Sequence, residues 1–245
     1  MLKNNNEIAI VLCGHGSSFN LYIQDFKKTH KIIEKKINTS CYICFIEKNE
    51  PSIENCLRLI KKKGIKKVIF FPFLLFNGEH FEHDVKSKIK QLSKSLSLKI
   101  KLIEKISLTE EVMPIIEKKI SKIIIKNKTS ILATFCSRSK NPKVSSEQKE
   151  YTEKMAKNLN IDRAYSYFVG EETKFVEEIK NIENKNYVLI IQPIFLFKGY
   201  LQNTNMSFFN KLKIKNYHVL NTLMTNKDIQ SLVVKKLKST FHITN

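Results

Sequence analysis

Two stretches of this chain lie 121 positions apart and read almost alike: Pro72-Phe73-Leu74-Leu75-Phe76-Asn77-Gly78 and Pro193-Ile194-Phe195-Leu196-Phe197-Lys198-Gly199. Each follows a run of Val, Ile, Leu and Phe. Such a run, closed by a proline with a glycine a few residues on, is the pattern of a buried strand leaving a parallel sheet. Its recurrence implies that one unit of the fold is used twice.

The remaining segments agree. Strands are expected near 7–13, 41–47, 67–74 and 98–103, and again near 129–135, 164–169, 187–196 and 216–221. Helical spacing fills the gaps. Phe19, Tyr22, Ile23, Phe26 and Ile33 share a face of a helix over 19–37, and Ile53, Cys56, Leu57 and Ile60 share one after Pro51, ended by Gly64. Further helices are expected near 83–96, 109–125, 146–159, 172–181, 203–212 and 226–239. Strands alternating with helices build a parallel sheet covered on both faces. The expected fold is α/β: two similar four-stranded parallel-sheet domains with flavodoxin-like layering, from an internal duplication. The boundaries are 1–125 and 129–245, joined by Lys126-Asn127-Lys128.

The duplication is not complete. The first strand runs Ile8-Ala9-Ile10-Val11-Leu12-Cys13 into Gly14-His15-Gly16-Ser17, and the third runs into Asn77-Gly78-Glu79-His80-Phe81-Glu82-His83-Asp84. Ligands of open α/β sheets bind beyond the carboxyl ends of the strands, so His15 and His80 lie where chemistry is expected. Imidazoles near carboxylates suit a divalent transition metal, and imidazole exchanges protons near neutral pH. The same offset takes His15 to Cys136 and His80 to Leu201. The first half therefore carries the reactive groups. The second either walls a shared cleft or only packs against the first.

Composition narrows the class. The chain has 245 residues, 42% of them hydrophobic, and a net charge of +20. Lysines are spread along its whole length, so a compositional bias explains the charge better than a nucleic-acid footprint, although the field would draw in an anionic small molecule. No apolar run spans a membrane and the N-terminus has no signal core, so a cytoplasmic protein without nucleic-acid or membrane partners is expected. Cys41 and Cys44 have C-x-x-C spacing, but on a strand they face opposite ways and read as separate reduced thiols.

These segments resemble the sirohydrochlorin chelatases, class II chelatases that insert a divalent metal into a tetrapyrrole. The resemblance lies in His15-Gly16-Ser17, in Phe45-Ile46-Glu47 followed by Glu50-Pro51-Ser52, and in Pro72, Leu75, Gly78, His80 and Asp84. It covers nearly all of 7–125, and the second half looks like the degenerate repeat of the long members. It implies that His15 is a metal ligand and proton acceptor, that His80 is the other ligand, and that Glu47, Leu74, Leu75, Phe76, Asn77, Gly78 and Glu79 line the tetrapyrrole. His83 and Glu79 depart from the usual pattern. His83 is read as a rim residue, with His83 and Glu82 as accessory candidates. The implied reaction inserts cobalt or ferrous iron into sirohydrochlorin, for cobalamin or sirohaem, with nickel a further candidate metal. The metal is a substrate, no tightly bound cofactor is expected, and a monomer with pseudo-twofold halves is the expected state. The alternative is a non-catalytic metal or tetrapyrrole carrier on the same fold. Arg58 and Arg138 are candidate carboxylate clamps; His30, His218 and His242 read as structural, and Cys136 as a buried thiol.

Overall fold

A computed structural model describes residues 8–76, 80–180, 186–211 and 216–244. It contains two parallel sheets of the same topology. The first has β1 (Ile8–Gly14), β2 (Cys41–Phe45), β3 (Lys67–Pro72) and β4 (Lys99–Leu102), in the order β2-β1-β3-β4. The second has β5 (Thr129–Cys136), β6 (Arg163–Phe168), β7 (Tyr187–Pro193) and β8 (Tyr217–Val219), in the order β6-β5-β7-β8. Every neighbouring pair is parallel. The expected α/β fold with two such sheets is the one observed. The central strands β1 and β5 are buried almost throughout, which is why they read as unbroken apolar runs.

The helices are α1 (Asn20–Ile37), α2 (Ile53–Lys62), α3 (Lys88–Ser95), α4 (Met113–Ile120), α5 (Pro142–Asn158), α6 (Glu172–Lys180), α7 (Tyr200–Lys211) and α8 (Lys227–Thr244). Their ends follow local chemistry. Ser52 caps α2 by accepting the Asn55 N–H at 3.2 Å. Pro51 thus precedes the cap, rather than lying in the first turn as expected. Gly64, at φ +79°, ends the helix. α5 starts at Pro142, earlier than expected, because the Asn141 side chain accepts the Lys143 N–H at 3.0 Å.

Two helices open with a wider π-type turn: His80–Ser87 leads into α3, and Leu108–Val112 into α4. The first begins three residues before the expected start at 83. Phe81, Val85 and Ile89 are buried four residues apart along it, one face of the continuous helix.

Packing divides the chain differently from the sequence repeat. One unit runs to Ile106 and takes in the chain from Lys227 onward; the other is Ser107–Asn226. Within the first, α8 lies on α1 and β3; within the second, α4 lies on α5. The last helix of each sequence half thus joins the other unit, so the expected boundaries at 125 and 129 do not divide the packing. Ile229, Val233 and Leu237 are fully buried on α8, and Ile116 and Ile120 on α4. An apolar stripe demands burial without naming the sheet that provides it.

Candidate functional site

The site is built where β1, β2 and β3 end. Gly14 and Gly16 allow the chain to turn there. A Cβ on Gly14 would sit 2.9 Å from the Tyr22 hydroxyl and 3.0 Å from Phe26. Gly16 has φ +98°, and a Cβ there would lie 1.8 Å from the Glu47 carbonyl oxygen, so no other residue fits. The turn therefore presses against the loop that follows β2. Backbone bonds hold the two together: the Ile46 N–H donates to Gly14 O and the Glu47 N–H to His15 O, both at 3.0 Å.

His15 stands between them. Its side chain retains 36% of its accessible surface, enough to be reached from solvent. Its Nδ1 lies 3.2 Å from the Gly16 carbonyl oxygen and 3.6 Å from Glu47 Oε1. A carbonyl can only accept, so Nδ1 carries the hydrogen of this contact, and in the neutral ring the lone pair is then on Nε2. Glu47 Oε1 also lies 3.4 Å from Lys48 Nζ. A basic nitrogen, a carboxylate and an ammonium thus meet at one strand edge, and imidazole with carboxylate suits a divalent transition metal.

Several expected residues take clear places. Leu74 and Phe76 are half-buried beyond β3. Leu75 is buried, so its side chain offers no lining surface; its carbonyl accepts a hydrogen bond from Lys105 Nζ at 3.0 Å. Asn77, Gly78 and Glu79 lie outside the described residues, as do the side chains of His80 and His83, although both histidines belong to the helical turn His80–Ser87. Glu82 is ion-paired with Lys86 at 3.2 Å. Among the described residues, no three His, Cys, Asp or Glu side chains are grouped to hold a metal.

The lesser candidates resolve into structure. Arg58 is paired with Glu54 at 2.7 Å and Arg138 with Glu171 at 2.9 Å, so neither is a ready clamp. His30 Nε2 lies 2.9 Å from the Cys41 carbonyl oxygen. Cys136, matching His15, is buried and donates to Gln148 Oε1 at 3.1 Å, and burial pushes its thiol up to about 12. All five cysteines are buried free thiols. His218 is exposed on β8, and the side chain of His242 lies outside the described residues.

Sequence reasoning missed two residues beside the turn. The Tyr22 hydroxyl accepts the Gly16 N–H at 3.4 Å, and burial pushes its phenol up to about 12, so it stays neutral. Tyr22 had registered only as part of an apolar helix face. Asn49 accepts the Ser17 N–H at 2.6 Å, and nothing in its spacing announced this.

Residues 9–123 match the CbiX family model. A sirohydrochlorin cobaltochelatase of Sulfurisphaera tokodaii is 27% identical over 115 residues, 47% of this chain and 92% of that protein. A sirohydrochlorin ferrochelatase of Bacillus subtilis is 23% identical over 215 residues, 86% of this chain and 82% of that protein. The structure of SirB from Bacillus subtilis with Fe3+ superposes with a TM-score of 0.79 at 20% identity, covering 96% of this chain and 95% of that one, a likeness of fold. The match to the CbiX family model is thus confined to residues 9–123, a little under half of the chain.

Proposed function

We propose that this protein is a sirohydrochlorin chelatase that inserts cobalt or ferrous iron into the macrocycle. The observation that carries this reading is His15: half-exposed at the end of β1, with Nδ1 turned to a carbonyl and Glu47 3.6 Å away. The balance is simple. A dication enters and two pyrrole N–H protons leave. As the metal passes from His15 to the macrocycle, Nε2 is released and takes up one of them, in the role of a general base. The Glu47 carboxylate offers a second basic site and, with His15, receives the incoming metal. His80, at the start of the helix after β3, supplies a second imidazole to the metal. Leu74 and Phe76 face the macrocycle. Such a substrate carries many carboxylates, and a chain of net charge +20 attracts it at low salt.

Open nitrogen and oxygen ligands suit a metal that must be released as well as bound, whereas a closed thiolate set would retain it. The test is to mix the purified protein with sirohydrochlorin and either metal and follow the absorption spectrum. Metallation faster than the uncatalysed rate is expected. Tight binding of macrocycle or metal with only the uncatalysed rate would instead mark a carrier.

A further inference from the structure

The loop after β2 contains a feature that neither the strand nor the helix beside it requires. The Asn49 N–H donates to Glu47 O at 2.7 Å, and Lys48 between them has φ +61°. This is a γ-turn of the rare, strained hand, on a lysine rather than a glycine. Such conformations persist only where their surroundings over-determine them. Here the surroundings are the His15 turn. Asn49 Oδ1 accepts the Ser17 N–H at 2.6 Å, the Glu47 N–H donates to His15 O, and Gly16 leaves no room for a side chain against Glu47 O. The γ-turn throws Asn49 back across the loop, and its amide oxygen fixes the far side of the turn that carries His15. Glu47 and His15 are thereby held between two hydrogen bonds, one on either side.

We propose that Asn49 is a positioning residue that sets the spacing between His15 and Glu47 by anchoring Ser17. This rests on the reading that His15 and Glu47 act together in metal insertion, but its physical core can be tested without that reading. Asn49→Ala removes the acceptor; Asn49→Asp keeps an oxygen in its place.

Amide hydrogen exchange, cobalt titration and steady-state kinetics are measured on the full chain, with thermal unfolding to establish that each variant folds. In Asn49→Ala, the Ser17 amide should exchange about tenfold faster and kcat should fall about tenfold, with KM for the macrocycle changed less than about threefold, because misplacing a reacting group slows the step rather than loosening the substrate. Affinity for cobalt alone should weaken in parallel. Asn49→Asp should restore all three. Unchanged Ser17 exchange with unchanged cobalt affinity in Asn49→Ala would overturn the proposal. So would a loss in Asn49→Ala that Asn49→Asp does not recover. If the native protein does not metallate the macrocycle, the functional reading fails, while Ser17 exchange and cobalt affinity still decide the role of Asn49.

Discussion

The orientation of His15 is set by its own backbone. Because Gly16 has φ +98°, its carbonyl turns back toward the ring and takes the Nδ1 hydrogen. A histidine with the same exposure on a regular strand would have no such partner, and its tautomer would be open. From this follows the first prediction. His15→Ala should lower the metallation rate by about a hundredfold or more, the range over which a positioned base contributes. The half-exposed side chain carries little of the core, so the unfolding midpoint in urea should move little. His80→Ala should do the same through loss of a metal partner. Normal turnover in either variant, after subtraction of the uncatalysed rate, would contradict the assignment. The placing of both histidines just beyond strand ends was legible in the sequence, because an apolar run precedes each and glycines flank one. Glu47 was legible only through the family resemblance, and its nearness to His15 depends on the register that pairs Gly14 with Phe45.

At the scale of elements, the site is two loops pressed together, and Gly16 is the point of contact. Gly16→Ala would place a methyl where the Glu47 carbonyl now lies and force an L-residue into a conformation it rarely adopts. Strain of this kind is worth about 1–3 kcal/mol before any clash is counted. The expected result is a loss of stability of at least about 2 kcal/mol in urea titration, together with loss of activity. A variant of native stability and activity would show that the two loops are not in contact. The strands that end in these loops were readable because buried parallel strands are continuous apolar runs. The loops were not. Their conformation depends on side-chain-to-backbone bonds such as Asn49 to Ser17, 32 positions apart, which leave no periodic trace.

At the scale of the whole molecule, buried ionisable groups and exchanged helices govern stability. Burial pushes the thiols of Cys41 and Cys136 from an ordinary 9 up to about 12. Below about pH 9 folded and unfolded chains both keep these protons and stability does not depend on them. Between about 9 and 12 the unfolded thiols ionise while the folded ones do not, so stability falls as pH rises. Urea midpoints should therefore be level to about pH 9 and then decline; a rise above pH 9 would contradict this burial. The last prediction concerns the sequence halves. The repeat places a boundary at 126–128, yet α8 covers α1 and β3, and α4 packs on α5. A fragment of residues 1–125 keeps the first sheet and loses α8. It uncovers the surface that Ile229, Val233 and Leu237 bury, each worth about 1.5–3 kcal/mol. It also carries α4 without its partner. Against a typical domain stability of about 5–15 kcal/mol, that loss is enough to abolish a stable fold. The fragment should melt without a cooperative transition and bind a hydrophobic dye, although every residue of the matched family region is present. Cooperative, native-like melting of 1–125 would mean that the first sheet stands without α8 and that the packing exchange is dispensable.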